Sequence, residues 1–383
     1  MVKEHIIDGF QSIFRASGKP RVFRAPGRVN LIGEHTDYNM GLVCPTALDL
    51  ACFVAAAPNS DGKLRVYSSN REEMREWPVA DLPECRPAGD WTDYIIGVAQ
   101  QILHLNRPVQ AFDLYIASTV PVGSGLSSSA ALEVSTALAL LGGEAIPRLE
   151  IALLARRAEN QFVGTPCGIM DQYVSVFGRE RAAVKIDCRD LSHESVPIPG
   201  AVEILAVNSM VKHELGQSAY SDRVRECSLA VEAIRCKHPE VQSLRDADMQ
   251  MVNELDGGTP AVLLQRARHV VSENLRVDQF VQAGSVGDVP KMGALFVESH
   301  RSLQNEYAVS CEELDFLVDT ALSLPGVWGA RMTGGGFGGC TVNLVDPQCV
   351  AEFRERITAA YRDRYAIVPD IHTCRPSAGA NEL

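Results

Sequence analysis

The chain has 383 residues, enough at roughly 150 residues per domain for two domains enclosing a cleft and too many for one small binding module. Hydrophobic residues make up 46% and charged residues 22%, which excludes a disordered or fibrous chain. With 48 acidic and 36 basic residues the net charge is -12, which repels a phosphate backbone and argues against nucleic acid as a partner. In chain order, residues 3 to 16 place Ile6, Phe10, Ile13 and Phe14 at helical spacing, an amphipathic helix stopped by Gly18 and Pro20. RVFRA (21 to 25) reads as a half-buried strand ending at a Pro26-Gly27 turn, and VNLIG as a second strand. Residues 47 to 57 are apolar and small, LRVYSS (64 to 69) alternates, and FDLYIAS (112 to 118) is a strand with Phe112, Leu114 and Ile116 on one side. A helix rich in Ala and Leu spans Ala130 to Leu141, ended by Gly142 and Gly143, and another spans about 147 to 162.

No flexible linker is present, so the domains are divided by a change of texture at 195: 1 to 195 and 196 to 383. The second half opens with the strand VEILAVNS (202 to 209), continues as a charged helical region to about 305, and closes as helix, strand and helix. The tail from Pro376 onward, PSAGANEL, has little to bury and is expected to end the fold. The 11 cysteines form no CxxC pair, and an odd count does not make a fully paired disulfide framework. With no run of 18 uncharged apolar residues and no export signal, a cytoplasmic protein without a membrane partner is expected.

Three constellations carry the chemistry. In PVGSGLSSSAALE (121 to 133) a strand leads in and a helix leads out, the context of a phosphate cradle. Gly123 and Gly125 let backbone N–H groups approach an anion, and the helix starting near Ser127 points its unpaired donors at the same place. The Walker lysine and the third glycine of GxGxxG are both absent, so neither an ordinary P-loop nor a Rossmann loop is read here. The bland alternative is a glycine turn with serine caps. In GRVNLIGEHTDYN (27 to 39), six polar residues, Glu34 to Asn39, follow an apolar strand. Carboxylates and an imidazole at a strand end suit a polyhydroxylated ligand, whereas one His is too few for zinc, and a solvated turn is the remaining reading. In TGGGFGG (333 to 339), five glycines in seven residues cost folding entropy, which favours close approach to a ligand or to the first loop over a plain turn.

Two acids stand apart. Glu159 lies beside the apolar stripe Ile151, Ala155, Ala158 and Phe162, so it is expected at the edge of the core. Asp171, between Ile169-Met170 and Tyr173-Val174, is expected in a partly desolvated place that would suit a general base, although a cap or surface ion pair is the commoner use of either residue.

Taken together, RVFRAPGRVNLIGEHTDYNMG (21 to 41), PVGSGLSSSAALEV (121 to 134), CGIMDQY (167 to 173) and RMTGGGFGG (331 to 339) resemble the galactokinases of the GHMP kinase superfamily. The resemblance implies an α+β fold: an N-terminal domain like domain 2 of ribosomal protein S5, a C-terminal ferredoxin-like domain, and an active site between them. It implies phosphorylation of D-galactose at its C1 hydroxyl by MgATP, with Mg2+ as cofactor and no obligate protein partner. Position by position, Glu34, His35, Asp37, the backbone at Gly168 and the ring of Tyr220 become galactose ligands. Asp171 becomes the proton acceptor, with Arg28 beside it stabilising the phosphoryl group. Gly123, Ser124, Gly125, Leu126, Ser127, Ser128 and Ser129 become the ATP phosphate loop, Ser128, Ser129 and Glu159 the Mg2+ ligands, and Trp91 and Tyr94 the flanks of adenine. Met40 stands where many relatives have glycine, which puts only local loop shape in question. Two other readings stay open: a non-catalytic sugar and ATP sensor, against which the intact SSSA string argues, and a kinase for N-acetylgalactosamine or arabinose.

Overall fold

The computed structural model describes residues 2–15, 18–142, 146–212, 216–255 and 257–383, so Ala16 and Gly143, invoked above at helix ends, lie outside the described residues. Its elements run α1 (Val2–Ile13), β1 (Arg21–Asn30), β2 (Leu42–Val43), β3 (Pro45–Pro58), β4 (Lys63–Ser68), β5 (Glu73–Pro78), α2 (Asp93–His104), β6 (Phe112–Ser118), α3 (Ser128–Leu140), α4 (Arg148–Arg157), α5 (Met170–Phe177), β7 (Ala182–Asp187) and β8 (His193–Pro197). The second half continues with β9 (Glu203–Lys212), α6 (Gly216–Arg235), α7 (Met249–Asn253), α8 (Ala261–Val286), α9 (Val289–Ser302), α10 (Glu312–Leu322), β10 (Val327–Thr333), β11 (Gly338–Val345), α11 (Val350–Tyr365), β12 (Asp370–Thr373) and β13 (Asn381–Glu382).

Six strands in the order β13-β1-β3-β6-β4-β5 form the first sheet. One face is closed by α1, whose Ile6 and Phe10, with Phe14 just past its end, pack on Val22, Phe53 and Tyr115; Ile13, expected on that stripe, is exposed. The other face carries α2 to α5, and the apolar stripe Ile151, Ala155, Ala158 and Phe162 is buried there as expected. The expected turn at Pro26-Gly27 is instead a bulge inside one continuous strand, where the β1–β3 register shifts between Pro26 and Arg28. Gly27 is needed because a Cβ there would lie 2.5 Å from the carbonyl oxygen of Leu126. The strand β5 and the helix α2 were not anticipated.

Strands β10-β11-β9-β12 make an antiparallel sheet, and with α10 and α11 this is the βαββαβ arrangement expected of a ferredoxin-like domain. Alternation is clean: Leu205 and Val207 of β9 face α10 and α11, while Ile204 and Ala206 face the core shared with the first half. That shared core includes Val277 and Phe280 of α8 and Phe296 of α9, so apolar packing is continuous across the two halves. A cut at 195 would sever β8, which pairs with β7 from Ala182↔Pro197 to Ile186↔His193. The tail does not merely end the fold. It returns to the first sheet, where β13 pairs with β1 through Phe23↔Glu382 and Arg24↔Asn381, and the Ala380 amide donates to the Ser175 carbonyl at 2.7 Å. The eleven cysteines are free thiols. Among the described residues no helix is long and apolar enough to cross a membrane.

Candidate active site

The bulge in β1 turns Arg28 into the space between the halves, where its buried guanidinium joins two elements. Nε and Nη2 donate to the two oxygens of Asp171 at 2.8 and 2.7 Å, and Nη1 donates to the Gly125 carbonyl at 2.5 Å. Asp171 lies in the first turn of α5 and also accepts from the Ser127 hydroxyl at 2.5 Å. The carboxylate of Asp171 is partly withdrawn from water as expected, but polar groups and not apolar ones surround it. Its side chain is 27% exposed and is gripped by a planar fork and a hydroxyl, which fixes its direction while leaving one edge open.

Beside it, Glu34, His35 and Asp37 line the cleft. Thr36 and Asn39 of the same polar string are buried and hold the loop: the Thr36 hydroxyl reaches the carbonyls of Gly33 and Leu42, and Asn39 donates to the His35 carbonyl. Met40 adopts a left-handed φ of 58°, a conformation that favours glycine. Glu34 is buried, accepts from the Gly334 amide at 2.7 Å and from Asn30, and faces Arg331 at 3.4 Å. Burial raises its pKa, with Arg331 opposing. His35 sits against the rings of Tyr38, Tyr220 and Tyr307, with Nδ1 2.9 Å from the Tyr38 hydroxyl. Burial pushes it down to about 3, so the imidazole is neutral. Asp37 is pushed up to about 6 by burial and then by the nearby Asp171. Its carboxylate lies so close to Gly168 that a Cβ there would be 1.7 Å from Oδ2. Tyr220 is on the same wall.

The glycine loop forms the opposite wall. Gly123 and Gly125 take φ of 77° and 79°, conformations that favour glycine, and Gly123, Gly125, Ser127, Ser128 and Ser129 line the cleft at the start of α3. Ser124 and Leu126, expected among them, turn inward. Ser124 is buried with its hydroxyl on the Pro121 carbonyl, and Leu126 is a core side chain whose carbonyl accepts from the Arg28 amide. The TGGGFGG loop packs on this wall, as one of its two expected uses required: a Cβ on Gly334 would lie 3.6 Å from the Gly125 carbonyl oxygen. The lining of the ≈960 Å³ cleft includes Gly334 to Phe337.

Glu159 stands in the π turn Ala158–Val163 that ends α4, a distortion common at functional positions. Burial and Asp171 push its carboxyl up to about 7, with Ser129 among its hydrogen-bonding neighbours. Gln172 donates from one Nε2 to Glu159 at 2.6 Å and to Glu133 at 3.1 Å. Trp91 lines the cleft and donates from its indole to Glu73 at 3.0 Å. Tyr94 lines the cleft too, and burial, then the charges of Glu159 and Glu133, push its pKa up to about 12.

Sequence reasoning missed Glu133, Gln172, Arg331, Asn30, Tyr38 and Tyr307. A signal existed for two: Glu133 is the one charge on an otherwise small and apolar α3, and Arg331 stands inside an apolar strand directly before the glycine run.

Comparison with known proteins agrees with this architecture. Family models match as the galactokinase galactose-binding signature over residues 8–58, the GHMP kinases N terminal domain over 93–179 and the GHMP kinases C terminal over 277–363. A galactokinase of Roseiflexus sp. (strain RS-1) is 44% identical over 94% of this chain and 93% of its own, and one of Chloroflexus aggregans is 46% identical over 96% and 95%. The crystal structure of Lactococcus lactis galactokinase complexed with galactose superposes with a TM-score of 0.94 at 32% identity over the whole of both chains. A mevalonate kinase at 18% identity and a TM-score of 0.66 shares the fold, covering 93% of this chain and 98% of its own. With a galactokinase signature on the polar loop, both GHMP halves, and relatives alike over nearly their full length, the chain belongs to the galactokinase family of GHMP kinases.

Proposed function

We propose that the chain transfers the γ-phosphoryl group of ATP to the C1 hydroxyl of D-galactose, giving α-D-galactose 1-phosphate and ADP. One observation carries this reading: Arg28 grips the Asp171 carboxylate and the Gly125 carbonyl at once, so the proton acceptor and the phosphate loop belong to a single hydrogen-bonded unit. Phosphoryl transfer asks chiefly for positioning and charge neutralisation. Asp171 takes the C1 hydroxyl proton, and Arg28 aims it while holding a fixed positive charge beside the path of the phosphoryl group.

Glu34, His35, Asp37, the Gly168 backbone and Tyr220 receive the sugar hydroxyls, and a neutral His35 adds no positive charge there. Backbone amides of Gly123 to Ser129, with the start of α3, receive the ATP phosphates, and Trp91 flanks adenine. The donors at Ser128, Ser129 and Glu159 are all oxygens, as Mg2+ requires. Glu159 is a carboxyl whose charge is disfavoured by burial and by Asp171, a penalty that a divalent cation would reverse, so these residues fit Mg2+ and would hold it. When bound, Mg2+ would neutralise charge on the β- and γ-phosphates.

The test is a panel of galactose, glucose, N-acetylgalactosamine and arabinose with ATP and Mg2+, with products read by NMR. Glucose inverts one stereocentre and strands a buried acceptor, costing about 1 to 3 kcal/mol, or roughly tenfold to a hundredfold in kcat/KM for each lost partner. Comparable values for galactose and glucose would remove the Glu34, His35 and Asp37 cluster as the specificity site. A folded sample that binds galactose but forms no sugar phosphate would favour the sensor.

A further inference from the structure

A second cavity, of ≈400 Å³, opens on the far side of α8 and α9. Arg268, Ser272 and Arg276, four residues apart along α8, line one side, and Arg301, Asn305 and Glu306 line the other. Spacing of four residues stacks the α8 side chains on one helix face. Three guanidinium groups line the cavity against one lining carboxylate, Glu306, and although Arg276 and Arg301 each have a carboxylate partner behind them, donors of all three groups gather on one opening. Arg301 is engaged at the rim by Asp319 and by Gln304. Arg268 makes no ion pair or side-chain hydrogen bond among the described residues. Arg276 donates from Nε to the buried Glu273 at 2.6 Å, yet its Nη2 is buried with no partner. An orphaned guanidinium donor is costly and wants an acceptor.

We propose that this cavity binds a small phosphorylated molecule through its phosphate monoester, with Arg268, Arg276 and Arg301 as the anion's donors. Planar guanidinium forks match a tetrahedral dianion, and the volume lies within the range of sites for small ligands.

The same residues lead back to the sugar loop by two hydrogen-bonded routes. Glu273, held by Arg276, accepts from the Gly33 amide at 3.0 Å and from the Ser299 hydroxyl at 2.7 Å. Ser302, also on the cavity wall, lies 2.9 Å from His269 Nδ1, and His269 Nε2 lies 3.1 Å from the Glu34 carbonyl oxygen. Burial pushes His269 down to about 4, so the ring is neutral. It donates from Nε2 to that carbonyl and accepts from Ser302 at Nδ1. Gly33 and Glu34 begin the galactose cluster, so an anion that draws the Arg276 guanidinium toward itself through the free Nη2 strains the Nε bond to Glu273 and loosens the support of that cluster. Occupancy is therefore expected to weaken galactose binding. The anion site stands by itself, whereas the effect on galactose rests on the proposed activity.

Calorimetry of the resting protein with inorganic phosphate and, separately, with a hexose 6-phosphate reads the site directly. Tighter binding of the hexose phosphate identifies an organic monoester as the ligand, and equal affinity identifies free phosphate. The double variant Arg268→Gln/Arg301→Gln should lose tenfold or more in affinity for the anion that binds wild type, with its thermal midpoint shifted by no more than about 3 °C and its phosphate-free kcat and galactose KM within about twofold of wild type. In wild type the same anion should raise the galactose KM about fivefold or more at saturating MgATP, and in the double variant it should not. No binding of either anion at tens of millimolar, or equal binding by the double variant, would overturn the site. Binding with an unmoved galactose KM in an active enzyme would overturn the link to the sugar loop.

Discussion

Replacing Gly168 by alanine tests the sugar pocket with one methyl group. The new Cβ would lie 1.7 Å from Asp37 Oδ2, 2.2 Å from its Cγ and 2.9 Å from its Cβ. Gly168 does not have a left-handed φ, so alanine is tolerated by the backbone and the effect comes from the contact alone. Restoring an ordinary separation of about 3.5 Å moves the carboxylate by roughly 1.5 to 2 Å. The Asp37 backbone has little freedom to follow, because the turn is closed by Asn39 N–H to Thr36 O at 3.0 Å and Met40 N–H to Asp37 O at 3.2 Å. The side chain must therefore swing away from the position proposed for the sugar. Misplacing a positioning group by about 1 Å costs about 10²-fold, or about 2.7 kcal/mol of transition-state binding. We expect kcat/KM for galactose to fall by about that factor, mostly through KM, with the ATP KM nearly unchanged. Asp37 is only partly buried, so its carboxylate can move toward solvent and the thermal midpoint should shift little. Gly200→Ala, where a Cβ meets nothing within 4 Å, is the control. A Gly168→Ala enzyme with wild-type galactose KM would refute the placement of Asp37 against the sugar.

Asp171→Asn should lower kcat by about 10²-fold or more with a much smaller change in galactose affinity, measured by steady-state kinetics and calorimetry; near wild-type turnover would remove Asp171 as the base. Ser129→Ala should weaken Mg2+-dependent turnover while leaving galactose binding intact, and equal losses in both would mark the loop as a structural turn. Glu159, pushed up to about 7, should make apparent Mg2+ affinity rise as pH is raised from 6 to 8, with proton release detected by calorimetry in buffers of different ionisation enthalpy. Because the folded pKa lies above the ordinary 4.5, the Glu159 contribution to metal-free stability is present below about 4.5 and lost as pH rises through about 7; Glu159→Gln should flatten both dependences.

Where sequence spacing and burial shared a period, the fold could be read locally. The Ile6, Phe10 and Phe14 stripe, the alternation in FDLYIAS and the small-residue helix after SSSA each become the element their pattern announced. The Pro26-Gly27 pair misled because proline and glycine mark turns and bulges alike, and only the pairing of β1 with β3 on one side and Leu126 on the other decides between them. The tail misled for a similar reason. PSAGANEL is poor in apolar side chains, yet its contribution is backbone pairing to β1 and the Arg21–Glu382 ion pair, which hydrophobic patterning does not register.

The site divides along the same line. The residues proposed to touch substrate, such as Arg28, His35, Asp37 and Asp171, lie in compact motifs, so a sequence reading can propose them, and the structure brings them to one cleft. Those that hold them were not legible, because the partners meet only in the fold. Glu34 depends on Gly334 and Arg331, about 300 residues away, and Glu159 on Gln172, which it shares with Glu133 from another helix. This separation also explains why the candidate cleft sits at the joint between halves. A buried carboxylate such as Glu34 needs donors on more than one side, and here the first half brings it while the second brings the Gly334 amide and Arg331. Neither half by itself completes the hydrogen bonding of this polar loop, so the pocket is complete only with the second sheet docked against the first.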